Sequence, residues 1–272
     1  MSSTSWKYVE VEREGSPFNA LSKAHFERFS PKLLGLGKIA ARSPRRDVLA
    51  AIFDLEGFTS FCAQEDPQLF VAQYLEKFLD WLFTCIASQF KKESIDDKVL
   101  IWGSLPFFAK FTGDGVLFLW DTNLSIGERG IGNTLCCLFD VCTKYVSEFL
   151  PTISSQATMV PQRLRVGISC GEVCPIGGGH DFVGPCINKA SRLQKLGGLP
   201  FAVSRKGIDP LTAFIPKEYC KMVVTKTKIR GIGESELVIV YHAHLNALNP
   251  EERNQFVIVK DYSKTESPSP KT

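Results

Sequence analysis

The sequence predicts an α+β fold with a ferredoxin-like core, in which a βαββαβ order of elements is followed by additional strands. Runs of β-branched and aromatic residues alternate with two long amphipathic patterns of helical period in that order. Apolar residues make up 44% of the 272 residues, which supports one full core. No stretch repeats itself along the chain, so one domain with extra segments is expected.

The start of the chain has a pattern of its own and is interpreted as an N-terminal leader. WKYVEVE (6–12) favours a strand, and NALSKAHFERF (19–29) favours a short helix. Ser43-Pro44 then marks a break in regular structure. The predicted regions are therefore a leader (1–46), a main domain (47–245) and a C-terminal extension with a disordered tail (246–272).

The elements of the main domain are predicted from the period of their apolar residues. A strand is expected over 48–54, and an amphipathic helix over 66–92 carries aromatic residues along one side. A hairpin follows, with strands near 98–103 and 107–120. The later elements are predicted as a helix over 133–149, a strand over 163–170 with a short strand after it, a helix over 186–196, and strands near 200–204, 219–228 and 236–244. The helices are expected on one face of the sheet.

Composition and charge argue against several classes of partner. The formal net charge is +3, and no block of Lys and Arg is long enough for a nucleic-acid footprint. The first residues lack the apolar segment of a signal peptide, and charged residues interrupt the longest helix, so no membrane span is expected. Nine cysteines without a CxxC pair favour reduced thiols. The sequence thus predicts a cytoplasmic protein with no nucleic-acid or membrane partner.

Two aspartates in matching settings are the first candidates for chemistry. Asp54 ends the apolar run of VLAAIFDLEGFTSF (48–61), and Asp114 lies in FFAKFTGDGVLFLW (107–120). A carboxylate beside such a run is costly to bury unless a cation or strong donors neutralise it. Two strands that bring two such carboxylates together provide hard oxygen ligands for divalent metal ions. A two-metal site suits phosphate chemistry, because it can activate an attacking oxygen and stabilise a leaving one.

A third segment, RLRVGISCGEVCPIGGGHDFVGPCINKASRLQKLG (163–197), adds two more candidates. Its pattern predicts a strand, a glycine-rich turn with a short strand, and then a helix. Asn188 and Arg192 are four residues apart on that helix, so they share one face. A guanidinium stays charged and forks onto phosphate oxygens. Asn can hold a sugar oxygen while Arg meets the charge that develops on phosphorus.

Together these three segments resemble the class III nucleotide cyclases, the family of adenylyl and guanylyl cyclases. FDLEGFTSF looks like the first metal motif of the family, KFTGDGVLF like its second, and DFVGPCINKASRL like its signature helix. The order and the spacing also match, and the resemblance covers roughly 48–245. It implies that the ferredoxin-like core is a class III cyclase homology domain.

The resemblance implies roles for single residues around a metal and phosphate site. Asp54 and Asp114 match the two metal-binding aspartates, and Leu55 matches the position whose backbone carbonyl also binds metal. The turn whose backbone amides hold the β- and γ-phosphates is matched by Gly57, Phe58 and Thr59. A turn that runs into a helix is a ready anion site. The implied cofactors are two divalent metal ions, Mn²⁺ or Mg²⁺.

Further residues match positions that contact the rest of the nucleotide. Asn188 matches the ribose-orienting asparagine, and Arg192 matches the transition-state arginine. Arg230, in KTKIRGIGESEL, falls where the family has a triphosphate-binding lysine. Lys110 and Asp181 fall at the two base-selecting positions.

The reaction implied by the resemblance converts a nucleoside triphosphate into a 3′,5′-cyclic monophosphate and pyrophosphate. The ribose 3′-oxygen attacks the α-phosphorus in line, and catalysis consists mostly of positioning and charge stabilisation. In this family, the metal aspartates and the Asn–Arg pair of one site come from opposite subunits. This chain carries both sets, which implies a homodimer with two equivalent sites at its interface.

The base that is cyclised is left open between two interpretations. Lys110 and Asp181 fit the adenine-selecting pair of adenylyl members, which favours ATP. The whole chain, with a short leader and no recognisable sensory domain, looks closer to the stand-alone pyrimidine cyclases of bacterial antiphage (Pycsar) systems. Those enzymes make cyclic UMP or cyclic CMP, which acts on a separate effector. The second interpretation is preferred, with UTP before CTP.

Each motif taken alone also has a simpler explanation. Asp54 could cap the end of a strand, and Asp114 could be an ordinary Gly-Asp-Gly turn residue. Asn188 and Arg192 could lie on a solvated helix face. A homologue that binds nucleotide without turning it over is a further alternative, and a plain interaction module is another. Silent homologues usually lose a metal aspartate or the arginine, and neither is lost here.

Overall fold

The computed structural model describes most of the chain. The described residues are 8–13, 16–20, 22–27, 30, 34–36, 38–40, 44–64, 70–124, 130–153, 160–213 and 221–262. Contacts divide the chain into two compact units, each described here by itself. The smaller unit comprises Met1–Arg45 and Cys174–Val183, and the larger comprises Arg46–Val173 and Gly184–Thr272.

Strands and helices alternate through the described residues. The strands are β1 (Val9–Arg13), β2 (Ser16–Ala20), β3 (Arg46–Glu56), β4 (Lys91–Ile95), β5 (Lys98–Ile101), β6 (Phe108–Phe111), β7 (Gly115–Asp121), β8 (Arg163–Ile176), β9 (Asp181–Val183), β10 (Phe201–Ser204), β11 (Met222–Ile229), β12 (Gly233–Tyr241) and β13 (Val257–Asp261). The α-helices are α1 (Lys23–Phe26), α2 (Phe58–Cys62), α3 (Val71–Phe90), α4 (Gly130–Lys144), α5 (Leu150–Ile153), α6 (Pro185–Leu193), α7 (Pro210–Ala213), α8 (His242–Ala247) and α9 (Pro250–Arg253). A 3₁₀ turn (Thr122–Leu124) follows β7, and a π-helical turn (Tyr145–Phe149) joins α4 to α5.

The smaller unit is built from two antiparallel strand pairs. β1 pairs with β2, and β9 pairs with the last three residues of β8. The strand expected over 6–12 is therefore confirmed as β1. The helix expected over 19–29 is shorter than predicted, because Asn19 and Ala20 pair with β1 as part of β2.

A large sheet forms the frame of the larger unit. Its strand order is β13-β11-β12-β10-β8-β3-β7-β6. The four strands β8, β3, β7 and β6 are mutually antiparallel neighbours, and they correspond to the fourth, first, third and second strands of a βαββαβ unit. That spatial order is the ferredoxin-like arrangement, so the predicted fold class is confirmed.

One face of this sheet is covered by α3 and α4. Leu49, Ala51 and Phe53 alternate toward that face along β3, as expected for a strand with a period of two. They join a continuous apolar cluster that includes Phe78 of α3 and Leu138 of α4, both fully buried. Burying each large side chain of this kind contributes roughly 1.5–3 kcal/mol, so this cluster makes a large contribution to stability.

The helix α6 packs on the opposite face, which corrects the expectation that all helices lie on one side. Along β8, Val166 and Ile168 point into the α3–α4 cluster, whereas Gly167 and Gly171 alternate toward α6. A Cβ atom on Gly167 would lie 2.1 Å from the carbonyl oxygen of Ala190 in α6. Because glycine has no side chain there, the helix backbone lies directly against the strand.

The predicted hairpin near 98–103 and 107–120 is wrong in its boundaries. The structure has two hairpins in this region, β4–β5 and β6–β7. The first turns at Asp96, which has a positive φ of 53°, and the second turns around Gly113, with a φ of 101°. Asp114 therefore stands in a turn and not within a strand, because the glycine conformation interrupts the apolar run before it.

The later elements follow the prediction with shifted ends. The helix expected over 133–149 begins at Gly130 and changes to π-helix at Tyr145. The C-terminal strand ends at Tyr241, and α8 follows it where strand was expected. The region predicted as an extension adds the edge strand β13, and its tail beyond residue 262 lies outside the described residues. No helix of the described residues is long and apolar enough to cross a membrane.

Candidate active site

Asp54 lies near the end of β3 and is 2% exposed. In the antiparallel register it stands between Gly115 of β7 and Arg165 of β8. Residues that face each other across antiparallel strands point to the same side of the sheet, so Asp54 and Arg165 both lie on the α6 face. Nη2 of Arg165 donates to Oδ2 of Asp54 at 2.5 Å, and Nη1 lies 3.6 Å from Oε1 of Glu56. This pair neutralises a carboxylate that would otherwise be buried without compensation.

The pKa of Asp54 is raised above its ordinary value of 3.8. Burial is the largest cause, since it disfavours the charged form. The hydrogen bond and charge of Arg165 act in the opposite direction, and the nearby Asp114 carboxylate raises the pKa further. Further positive charge near Asp54 would therefore stabilise its ionised form, in addition to the stabilisation that Arg165 provides.

Asp114 is half-buried in the turn between β6 and β7, beside the end of β3. The turn is fixed to β3 by a hydrogen bond of 2.9 Å from the Leu55 N–H to the Asp114 carbonyl oxygen. A Cβ atom on Gly115 would lie only 1.8 Å from the carbonyl oxygen of Phe53. The glycine therefore permits the close approach of β7 to β3 that brings the second aspartate to the first.

The two aspartates fit divalent metal ions that arrive with a phosphate ligand. Their carboxylates are close enough for Asp114 to raise the pKa of Asp54, as expected of two ligands that share a cation. The part of the chain that the structure describes contains no group of three or more His, Cys, Asp or Glu side chains that could hold a metal. Mg²⁺ is commonly bound by one or two carboxylates plus substrate phosphates. The donor set suits that mode.

The turn predicted to hold phosphates, at residues 57–59, directly follows β3. Gly57 has a φ of 84° at the start of α2, and its carbonyl accepts a hydrogen bond of 3.0 Å from the Phe61 N–H. A cavity of about 460 Å³ is lined by Gly57 of this turn, together with Ser60 and Arg163. The turn thus borders a cavity that a basic residue also lines.

Asn188 and Arg192 stand together on the exposed side of α6, as the spacing predicts. Ala190, on the inner side, is fully buried against the sheet. Neither Asn188 nor Arg192 has a side-chain partner within the described ranges. Lys195, in the turn that follows α6, is exposed, and its charge lowers the pKa of Asp54. This turn therefore brings a positive charge toward the carboxylates.

Three other predicted residues are not brought to the aspartates by any described contact. Arg230 is exposed in the turn between β11 and β12. Lys110 is exposed on β6 of the larger unit, and Asp181 begins β9 in the smaller unit. Asp181 is buried, and its Oδ1 accepts a hydrogen bond of 2.8 Å from the Phe182 N–H. The roles of these residues in binding triphosphate and base remain predictions.

Sequence reasoning missed the basic residues around the aspartates. Arg165 pairs with Asp54, and Nε of Arg163 lies 2.5 Å from Oε2 of Glu56. Both arginines alternate with apolar residues in RLRVGI, which places them on one face of a strand. That alternation was a usable signal, but the acidic partners lie more than a hundred residues away in the chain. Only the register of β3 against β8 identifies them.

No protein-family model and no curated protein matches this chain. Its structure is similar to that of the guanylyl cyclase Cya2, with 18% identity and a TM-score of 0.54 over 74% of this chain and 94% of that one. It is also similar to the adenylyl cyclase CyaB from P. aeruginosa, with 15% identity and a TM-score of 0.54 over 73% of this chain and 94% of that one. The chain therefore has the fold of the class III cyclase homology domain.

Proposed function

We propose that this chain is a class III nucleotide cyclase, which converts a nucleoside triphosphate into a 3′,5′-cyclic monophosphate and pyrophosphate. One observation carries the proposal above all: the hydrogen bond from Leu55 to Asp114 brings a second aspartate to the buried Asp54. The two motifs are about sixty residues apart in the sequence, and either one alone has an ordinary structural explanation.

Asp54 and Asp114, with the backbone carbonyl of Leu55, would hold two divalent ions, Mn²⁺ or Mg²⁺, which supply charge for the triphosphate and acidify the 3′-hydroxyl. The chain also provides fixed cations around these carboxylates. Arg165 lowers the pKa of Asp54 and so favours its ionised form against the larger opposite effect of burial, and the guanidinium is suited to phosphate oxygens. The turn at 57–59 would bind the β- and γ-phosphates through backbone amides, with Arg230 as a further triphosphate contact.

The exposed pair on α6 would complete a site in a second copy of the chain. Asn188 would hold the ribose, so that its 3′-oxygen lies in line with the α-phosphorus. Arg192 would stabilise the charge that grows on the α-phosphate. Their exposure and their lack of side-chain partners in the described parts of the chain support this arrangement. The protein would then be a homodimer with two equivalent sites.

The substrate that we propose is a pyrimidine nucleotide, UTP before CTP. The proposal rests on the resemblance of the whole chain to stand-alone antiphage cyclases, whose product acts on a separate effector in the cytoplasm. Lys110 and Asp181 would offer a donor and an acceptor to the edge of the base. A site that hydrogen-bonds one base discriminates against another by leaving buried groups unpaired.

The test is to incubate the purified chain with each of the four nucleoside triphosphates and Mn²⁺, and to identify the products by mass spectrometry. We expect cyclic UMP as the main product, cyclic CMP second, and none of either from an Asp114→Asn variant. Cyclic AMP as the main product would establish the adenylyl cyclase alternative. Nucleotide binding without any cyclic product would overturn the proposed activity and favour a silent regulator.

A further inference from the structure

Two buried tyrosines form a hydrogen-bonded chain in the core of the larger unit. Tyr74 lies on α3 and is 5% exposed, and Tyr145 is fully buried where α4 changes to the π-helical turn. Their hydroxyl oxygens lie 2.7 Å apart, although the residues are 71 positions apart in the sequence. Tyr145 also donates its hydroxyl proton to the Pro161 carbonyl oxygen at 2.5 Å. The chain of bonds therefore runs from α3 through Tyr145 to the segment that enters β8.

The order of donors in this chain follows from the number of protons. A phenol has one proton to donate, and that of Tyr145 goes to Pro161. Tyr74 must therefore donate to Tyr145, whose oxygen accepts the bond. Burial raises the pKa of both hydroxyls, so both keep their protons near neutral pH. Both hydroxyls are thus paired in a setting where an unpaired group would be costly.

The Tyr74 end of the chain supports α2, the helix that begins at the turn proposed to hold phosphates. α2 has five residues, and its N-cap, Gly57, provides no side-chain hydrogen bond. Its two buried residues, Phe58 and Phe61, both pack against the Tyr74 ring, with ring centroids 6.5 and 4.8 Å away. A helix of this length gains little stability from its own hydrogen bonds. The place of α2 therefore depends on its packing against Tyr74.

The Pro161 end of the chain supports a second wall of the same cavity. The cavity of about 460 Å³ is lined from the turn and α2 by Gly57, Ser60 and Phe61, and from the segment around Pro161 by Val160, Gln162 and Arg163. Pro161 lies within that second segment, and its carbonyl is the acceptor for Tyr145. The two tyrosines therefore connect one wall of the cavity to the other through two hydrogen bonds and the ring contacts of Tyr74.

The position of Tyr145 is fixed by its surroundings. It begins the π-helical turn, in which the Leu150 N–H donates to the Tyr145 carbonyl five residues earlier. Turns of this kind are rare and occur frequently at functional sites. The Tyr145 ring packs against those of Phe78, Trp81 and Phe149, with centroids 6.2, 5.8 and 5.4 Å away. Its hydroxyl therefore has a defined place from which to bind both partners.

We propose that Tyr74 and Tyr145 are positioning residues for the phosphate-binding turn, which hold the two walls of its cavity in place before the ligand arrives. The proposal rests on the proposed function for the assignment of phosphates to residues 57–59. Neither hydroxyl is required to touch the ligand. A wall that is already ordered in the free protein need not be ordered on binding, and this preorganisation adds to affinity.

The experiment measures binding of inorganic triphosphate with Mg²⁺ to the full chain by titration calorimetry. This probe lacks ribose and base, so it reports on the phosphate contacts. Tyr145→Phe keeps the ring but leaves the Tyr74 hydroxyl and the Pro161 carbonyl unpaired, and both groups gain if the walls separate and admit water. We expect the dissociation constant to rise about tenfold. Tyr74→Phe breaks the same path without leaving a buried donor unpaired, and it should weaken binding to a smaller extent.

The two bonds act in series, so breaking the second should matter little once the first is broken. The double variant Tyr74→Phe/Tyr145→Phe should therefore bind triphosphate no more weakly than Tyr145→Phe. It should also unfold at a higher temperature than Tyr145→Phe, because it no longer buries an unpaired Tyr74 hydroxyl. With the nucleoside triphosphate that is turned over, KM should rise in all three variants while kcat stays near that of the parent.

Thr225→Val is the matched control. Thr225 is fully buried, and its Oγ1 donates to the Val238 carbonyl at 3.3 Å, so this change also removes a buried hydroxyl. Thr225 lies on β11, which is separated from β8 by β12 and β10. The control should lower the unfolding temperature and leave the affinity for triphosphate unchanged.

Three results among the variants would overturn the proposal: an unchanged dissociation constant in Tyr145→Phe, an equal loss of affinity in Thr225→Val, or single losses that multiply in the double variant. A parent chain that binds no inorganic triphosphate would overturn it as well. A parent chain that binds triphosphate but forms no cyclic nucleotide would refute the proposed activity alone, because the calorimetric comparison does not need turnover.

Discussion

Asp54 carries two tasks in this structure, because its carboxylate is both an ion-pair partner and a candidate metal ligand. Its Oδ2 is bound by Arg165, and both side chains lie largely out of solvent. A buried pair of this kind contributes little net stability, but removing one partner leaves an uncompensated charge. Asp114 is half-buried and has no described ion partner, so it can act as a ligand without also belonging to a buried ion pair.

Because only Asp54 pairs with an arginine, replacing Asp54 should lower stability more than replacing Asp114, although both changes should reduce activity alike. Asp54→Asn and Asp114→Asn should each reduce cyclisation to less than about a tenth of the parent rate, because one carboxylate cannot hold the metal charge. Asp54→Asn should also destabilise the fold by roughly 1–3 kcal/mol, since Arg165 loses its charged partner. Urea unfolding measures the stabilities, and equal losses in the two variants would contradict the structural role of the pair.

The raised pKa of Asp54 predicts a pH dependence for metal binding. The protonated form is favoured by folding, so the contribution of Asp54 to stability is complete below its unfolded pKa and is lost as the pH rises through the raised folded value. Metal ions bind the carboxylate, so Mn²⁺ affinity, followed by electron paramagnetic resonance, should fall on acidification at a pH above the usual aspartate value.

Replacing Arg165 should shift the fall of Mn²⁺ affinity on acidification to higher pH. The arginine lowers the pKa of Asp54 by its hydrogen bond and its charge, so Arg165→Met should raise that pKa further. Arg163→Met is the matched control, because Arg163 pairs with Glu56 and not with Asp54. If the pH at which Mn²⁺ affinity falls is unchanged or lower in Arg165→Met, Asp54 is not the titrating ligand.

At the scale of elements, the position of α6 depends on the absence of side chains along β8. Gly167 and Gly171 face the helix, and the helix carries Asn188 and Arg192 on its outer side. Any displacement of α6 would therefore move both residues together. Contact between a helix backbone and a strand couples the packing of the fold to the geometry of the site.

We expect Gly167→Ala to impair activity more than Gly171→Ala. A Cβ atom at 167 would meet backbone atoms of Ala190 and Gln194 at 2.1 and 2.3 Å, so the helix must move. At 171 the nearest atom is the Cβ of Cys186 at 3.2 Å, which a small shift relieves. Overpacking of this kind costs about 1–3 kcal/mol, so the Gly167 variant should also unfold at a lower temperature. Calorimetry and turnover together test this order, and equal behaviour of the two variants would contradict it.

At the scale of the whole molecule, the candidate site is divided between two surfaces of one chain. The aspartates lie at the end of β3, whereas Asn188 and Arg192 face outward from α6 without described partners. The proposed homodimer, in which a second copy completes each site, would account for the exposure of these two residues.

The shared site predicts that two inactive variants restore activity when mixed. Asp114→Asn and Arg192→Ala should each be inactive alone, and mixed dimers should contain one intact site of two. With free exchange of subunits, activity should return to about a quarter of the parent value. Exchange is checked by mass spectrometry of differently labelled chains. Exchange without recovery would contradict a site built from two subunits.

The sequence by itself determined the order of elements and the identity of most candidate residues. The period of the apolar residues predicts β3, α3 and α6, because side-chain periodicity follows from local backbone geometry. The motifs around Asp54, Asp114 and Asn188 are also local, so each is legible in a short window of the chain. These local signals were sufficient to predict the βαββαβ core and to identify the resemblance to a cyclase domain.

The tertiary structure alone decided which charges meet. Arg165 pairs with Asp54 only because β3 and β8 adopt one register, and a shift of a single residue would turn the arginine to the other face. Asp114 reaches Asp54 only because its turn is hydrogen-bonded to the backbone of Leu55. Both contacts join residues far apart in the chain, and no local pattern encodes a register between distant strands. The sequence determined the groups available for the proposed chemistry, and long-range pairing determined their neighbours and the direction in which the pKa of Asp54 shifts.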